Sequence, residues 1–214
     1  MSVGTVFGDC ASRHAYKLYL LRALTNLDVT WVFSDISDAT TREQRQVAGN
    51  PMGQVPTLVL ADGRVMPESN AALVYLARGS VYWPSEAFDQ AQVMRWFMFE
   101  QNQVDPALAV SLSLQKSLYR VENADIILAY LRPKVDRLLA AMAEHLGQTD
   151  QQWLVGPGCS VADIALYAYV HEAEAGGFTV TQPIQSWLSR CEALPGWVSV
   201  ADAIKSERAG QAKS

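Results

Sequence analysis

Four short segments of this 214-residue chain carry side chains that could do chemistry. The first is Cys10-Ala11-Ser12-Arg13-His14-Ala15-Tyr16-Lys17, between the short apolar run Thr5-Val6-Phe7 and a long apolar helix pattern. A hydroxyl on Ser12 would lie near that helix's N-terminus, where the helix dipole and a hydrogen bond both favour an anion. If the anion is a thiolate, such contacts raise the nucleophilic fraction at neutral pH. Ser12 could equally be an ordinary helix cap. Cys10 is a rival nucleophile, since its thiol could form a mixed disulfide. Its place at a strand end also fits a buried, inert thiol.

The second segment is Asn50-Pro51-Met52-Gly53-Gln54-Val55-Pro56-Thr57-Leu58. Pro56 opens an apolar strand, where proline cannot serve a central ladder. A cis Val55–Pro56 bond would turn the chain and expose the Val55 backbone N–H and C=O to an extended peptide, as in strand addition. An ordinary loop-to-strand proline is the simpler alternative. The third segment, Pro67-Glu68-Ser69-Asn70, starts a helix, with Ser69 as its expected N-cap. A carboxylate could sit at that N-terminus while Glu68 holds an adjacent ammonium. In the fourth, Gly158-Cys159-Ser160-Val161-Ala162-Asp163-Ile164-Ala165, Ser160 and Asp163 have capping-box spacing, and Cys159 and Ile164 could form a hydrophobic staple.

The elements that must position these residues fall into two sets. Up to residue 77 the pattern is β-α-β-α-β-β-α: strands at Thr5–Phe7, Val29–Phe33, Val55–Leu60 and Val65–Met66, helices at Ala15–Leu24, Thr41–Ala48 and Ser69–Ala77. Gly49-Asn50-Pro51 stops the second helix, and Asp62-Gly63 marks a hairpin. A parallel βαβ unit followed by a hairpin and a helix is the thioredoxin plan. Residues 78–86 read as a linker and 87–214 as an all-α domain. Within it, helices are expected over 87–118 with a kink at Pro106, over 122–146 containing Pro133, and at Val161–Glu174 and Ile184–Leu194. The polar stretch Ser206–Ser214 is expected to fray.

Composition narrows the function classes. Half the residues are hydrophobic and 18% charged, as in a globular chain, and the net charge of −5 offers no footprint for nucleic acid. No run approaches the roughly 18 apolar residues needed to span a membrane, and the N-terminus lacks the form of a secretory signal. Three scattered His and three Cys without a Cys-x-x-Cys pair point away from a metal site or disulfide framework and toward a reducing cytoplasm.

Asn-Pro-x-Gly-x-Val-Pro-x-Leu, followed by a hairpin and a Glu-Ser pair, closely resembles the glutathione-site pattern of the cytosolic glutathione S-transferase family. The resemblance covers nearly the whole chain. It implies a thioredoxin-like domain over 1–77 and a helical domain over 87–214. It also implies a cis Val55–Pro56 peptide whose Val55 backbone pairs with the cysteinyl part of glutathione, and Glu68 and Ser69 holding the γ-glutamyl group. Ser12, Tyr16 and Lys17 look like the serine subgroup, with zeta, theta and phi features, and most like bacterial members reading Ser-x-Asn-x-Tyr-Lys. Ser12 would then be catalytic, hydrogen-bonding the glutathione thiolate, and His14 replaces the usual Asn. Gln54 stands where many members carry Lys, so it and Arg42 are the candidates for the glycine carboxylate. Arg42 could equally be a solvated helix arginine. The Ser160–Asp163 pair resembles the family's structural [Ser/Thr]-x-Ala-Asp box.

In some members an acidic residue of the partner's long helix reaches the γ-glutamyl ammonium, which makes Asp105 a candidate and implies a homodimer. Trp96, Phe97, Phe99, Gln103 and Ala107 lie in the stretch implied to meet an electrophile, though aromatics at helical spacing also build core. The implied activity is conjugation of glutathione, as co-substrate and without metal, to small electrophiles, a detoxifying transferase reaction. Two alternatives stand beside it: a glutathione-dependent thiol/disulfide oxidoreductase using Cys10, and a non-catalytic glutathione-fold binding protein. Gln54-Val55-Pro56 also fits zeta-type isomerisation, but that class's Ser-Ser-Cys-Ser entry is replaced here by Ala11-Ser12-Arg13-His14.

Overall fold

The computed structural model describes residues 2–38, 40, 49–116, 121–148 and 152–211. The chain divides into two compact units: Met1–Ser80 together with Leu194–Ser214, and Val81–Ala193.

The first unit is built on a four-stranded mixed sheet ordered β2-β1-β3-β4, comprising β1 (Gly4–Gly8), β2 (Val29–Phe33), β3 (Thr57–Leu60) and β4 (Val65–Met66). β1 runs parallel to β2, with Val6 opposite Trp31, and antiparallel to β3, with Val6 opposite Leu58. Helix α1 (Arg13–Thr25) is buried continuously from Ala15 to Leu21, as its nearly all-round apolar sequence requires. It ends at Asn26 in the left-handed conformation that often closes helices. Helix α2 (Ser69–Ala77) follows the hairpin. β3 begins at Thr57 rather than the expected Val55, because Pro56 has no N–H to place in the ladder. The expected helix Thr41–Ala48, which carries Arg42, lies outside the described residues.

The second unit is helical. Helix α3 (Ala87–Phe99) continues through π-helical turns (Glu100–Ala109) into α4 (Val110–Gln115). Pro106 lies within the wide turns. Proline cannot donate the i→i−4 bond, and a locally widened helix accommodates the loss. Helix α5 (Ala124–Leu146) contains Pro133, α6 (Val161–Val170) is buried at every residue, and α7 (Gln182–Glu192) closes the unit. Helix α6 stops short of the expected Glu174, and residues 171–177 form turns. Trp96, Phe97 and Ala107 are core residues, whereas Phe99, Gln103 and Ala107 border a cleft of about 670 Å³ that also meets Lys134 and Arg137. Among the described residues, no helix is long and apolar enough to cross a membrane.

The largest departure from the sequence reading is at the C-terminal side. The described part of the stretch expected to fray, residues 206–211, is the end of helix α8 (Val200–Gln211), which belongs to the first unit rather than to the helical domain. Its Ala203 and Glu207 are buried, and Glu207 meets the end of β1. The polar composition of α8 conceals this, because only a narrow stripe of the helix faces the sheet.

Candidate functional site

Ser12 occupies the N-cap position of α1, with extended backbone (φ −84°, ψ 123°), and its side chain makes no capping bond. The turn is held instead by backbone groups: the Ser12 N–H donates to the Asp9 carbonyl at 2.8 Å, and the Ser12 carbonyl accepts from Tyr16 at 2.9 Å. Asp9 is buried, and its carboxylate accepts from the Ala11 N–H (2.9 Å) and the Ile36 N–H (3.1 Å). Helix α1 has no acidic residue in its first turn, so its N-terminal partial charge is not offset within the helix.

Cys10, two residues before Ser12, is only 1% exposed. Burial pushes its thiol far up, and the neighbouring carboxylates of Glu207 and Asp9 push it further. A thiolate is therefore disfavoured at Cys10. Cys159 and Cys191 are also buried, and both thiols are raised by burial.

The Val55–Pro56 peptide is cis. The loop before it is tied by Asn50, which is 1% exposed. The Asn50 amide donates to the Gln54 carbonyl (3.1 Å) and to Thr57 Oγ1 (2.6 Å), and its oxygen accepts from the Gln54 N–H at 3.3 Å. Thr57 Oγ1 donates to the same Gln54 carbonyl at 2.8 Å. Both sides of Val55 are thus fixed, yet its own N–H and C=O have no partner among the described residues. The Gln54 side chain is exposed.

At α2, Glu68 rather than Ser69 takes the N-cap position, and Ser69 is the first helical residue. Glu68 sits at φ +71°, a left-handed conformation for a residue with a Cβ, which costs about 1–3 kcal/mol and tends to occur at functional sites. That backbone leaves the Glu68 side chain exposed while Ser69 is buried. Ser69 Oγ lies 3.3 Å from His14 Nδ1 and so links α2 to the first turn of α1. Next to it, the fully buried Lys17 donates from Nζ to Asn70 Oδ1 at 2.9 Å. Tyr16, its neighbour, donates to the Val198 carbonyl at 2.7 Å.

The fold thus joins the α1 and α2 N-termini through His14 and Ser69, and it holds Val55 two residues before β3 in the same unit. Arg42 lies outside the described residues. Asp105 lies in the π-helical turns of the second unit, half-buried. The sequence assigns Asn50 only to a helix stop and gives Thr57 and Asn70 no role, although all three stand inside the segments that carry the site. A buried Asn beside a turn, with a Thr just past a proline, is a readable signal for a tied loop. Glu207 had no local signal at all.

Comparison with known proteins identifies the family and the fold. Residues 11–78 match the family described as "Glutathione S-transferase, N-terminal domain", and residues 106–195 match "Glutathione S-transferase, C-terminal domain". The crystal structure of a glutathione S-transferase from Pseudomonas fluorescens [Pf-5] superposes with a TM-score of 0.86 at 37% identity, over 94% of this chain and all of that one. Ure2p in complex with glutathione shares the fold, with a TM-score of 0.80 at 19% identity over 95% of this chain and 93% of that one. Elongation factor 1-gamma of Artemia salina is 23% identical over 80% of this chain, which spans only 40% of that protein's length. On this match in sequence and fold, the chain belongs to the glutathione S-transferase family.

Proposed function

We propose that this chain is a glutathione S-transferase that activates the glutathione thiol through Ser12 and transfers it to a small electrophile. The observation that carries glutathione binding is the Val55 backbone edge: an N–H and a C=O held rigidly by Asn50 and Thr57 yet unpaired among the described residues. An extended peptide backbone is their natural complement. Ser69 and the α2 N-terminus would take the γ-glutamyl carboxylate, with the exposed Glu68 carboxylate on its ammonium. Gln54, assisted by Arg42, would take the glycine carboxylate. His14 would orient Ser69.

Ser12 supports the chemical step. Its hydroxyl makes no capping bond and stands at the N-terminus of a helix whose first turn holds no acidic residue, so it can donate to a thiolate. The thiolate sulfur attacks the electrophilic carbon, the S–C bond forms, and the electron pair passes to the leaving group or to the acceptor end of an activated double bond. Rate enhancement then comes from thiolate stabilisation and proximity. This reading places the chain in the serine subgroup, with bacterial-like character, working in the cytoplasm. Exposed Phe88, Met94 and Met98 on α3 support a homodimer in which Asp105 reaches the partner's glutathione.

A calorimetric titration with reduced glutathione tests the site. Micromolar-to-millimolar binding that Glu68→Ala removes is the expected result, and no binding by the folded wild-type protein would reject it. Ser12→Ala should lower kcat/KM by roughly 100-fold while changing glutathione affinity little, the size typical of losing one such donor. Equal losses in both would reject thiolate activation.

The likeness to an elongation factor favours one second reading, a glutathione-fold binding module without turnover. Intact glutathione binding with no conjugation across a panel of electrophiles would support it. The buried, raised Cys10 thiol speaks against the exchanger reading. A disulfide reagent should label none of the three cysteines in the native protein and all of them after unfolding. Rapid native labelling at Cys10 would revive that alternative.

A further inference from the structure

The turn that presents Ser12 has three consecutive backbone N–H groups to satisfy. Those of Ala11 and Ser12 are bonded within the turn, to Asp9 Oδ1 and the Asp9 carbonyl. The N–H of Cys10 is not: it donates to both carboxylate oxygens of Glu207, at 3.0 and 3.1 Å, across 197 residues of sequence. Glu207 Oε2 also accepts from Trp31 Nε1 at 3.0 Å. Trp31 is fixed in turn. Its ring meets Tyr19 edge to face at 5.0 Å, and it packs so closely over Gly8 that a Cβ there would come within 2.7 Å of it. A glycine at the end of β1 is therefore needed for the indole to reach Glu207.

From this geometry we infer that Glu207 is a positioning residue for thiolate activation: helix α8 fixes the backbone of Cys10 and so sets where the Ser12 hydroxyl points. The inference rests on the reading of Ser12 given above.

The choice of a carboxylate supports a positional demand. Glu207 is 6% exposed and stands near the buried Asp9, and burial pushes its carboxyl up. Folding therefore holds its proton more tightly than the unfolded chain does, and the contribution of Glu207 to stability falls as pH rises from the ordinary carboxylate value through the raised one. A glutamine could accept one N–H without that desolvation. It could not accept from Cys10 on both atoms while also accepting from Trp31, because its amide nitrogen only donates. The carboxylate gives three contacts at a cost in stability.

The sign of one measurement separates position from charge. Removing a nearby anion would by itself make the glutathione thiol more acidic. Loosening Ser12 would make it less acidic. Thiolate absorbance of enzyme-bound glutathione, titrated against pH, is to be measured for the wild type and for Ser12→Ala, Glu207→Gln and Glu207→Asp, with thermal unfolding of each. The expected result is a rise in the thiol pKa in all three variants. In the two Glu207 variants, kcat/KM at neutral pH should fall about 10-fold with the glutathione KM within about twofold. Glu207→Gln should unfold no earlier than the wild type. If a Glu207 variant fails to fold, Trp31→Phe keeps the carboxylate while removing one donor, and it should shift the thiol in the same direction by less. A shift in Ser12→Ala with none, or a fall, in the folded Glu207 and Trp31 variants overturns this inference alone. No shift in Ser12→Ala overturns the Ser12 reading and this inference with it.

Discussion

Ser12 and Ser160 each begin a helix, and their hydroxyls are used in opposite ways. Ser160, at α6, is fully engaged: its Oγ accepts from the Ala162 N–H (3.2 Å) and donates to Asp163 Oδ2 (2.9 Å), while its N–H donates to the same carboxylate at 2.8 Å. Ser12, at α1, has the same position and a similar extended backbone, yet no capping bond. The residue three positions on decides the difference. At α6 it is Asp163, which closes a capping box. At α1 it is Ala15, fully buried and without an acceptor. An acidic third residue draws the serine into the fold, whereas an apolar one leaves the hydroxyl, and the positive helix end, available to a ligand.

Asp163 is where this comparison should break most sharply. It is fully buried and accepts from the Leu154 N–H, the Ser160 N–H, Ser160 Oγ and Trp187 Nε1, all between 2.8 and 2.9 Å. Burial pushes its carboxyl up, against the downward pull of those four bonds. Asp163→Ala leaves several buried donors unsatisfied and should destabilise the protein by about 3–5 kcal/mol in urea unfolding. A loss below about 1 kcal/mol would mean that the box is incidental to the fold. Ser160→Ala comes next, with an expected loss of about 1–2 kcal/mol, the usual cost of removing a cap. Smallest is Ser12→Ala, which should change stability by no more than about 0.5 kcal/mol despite its effect on turnover. If Ser12→Ala destabilised as much as Ser160→Ala, the contrast would fail and Ser12 would be a structural cap.

What the sequence made legible follows from the range of the interactions. The four strands of the first unit and its helices α1 and α2 are legible from periodicity, because each is decided by neighbours a few residues away. The Val55–Pro56 turn and the Ser160–Asp163 box could be read for the same reason, since partners and signal lie within one short segment. Ser69 was placed correctly but given the wrong helix position, because the left-handed backbone of Glu68 shifts the N-cap by one residue. Composition does not encode that shift. Helix α8 was misread because exposed polar residues outnumber its buried ones. Glu207 was missed because its partner is Cys10, and no window of sequence contains both.

The Cys10–Glu207 bond also bears on the order in which this protein can take shape as it is made. β1, which leads into the Ser12 turn, leaves the ribosome well before α8, and the Cys10 amide has no native partner until Glu207 emerges, 197 residues later. The helical unit between them, Val81–Ala193, is complete before that moment. Closing so long a loop adds entropy to the barrier for the first unit, because non-local contacts reward the chain only after the loop has been closed. During synthesis the second unit in sequence can therefore finish first, and the Ser12 turn reaches its final geometry only when α8 docks.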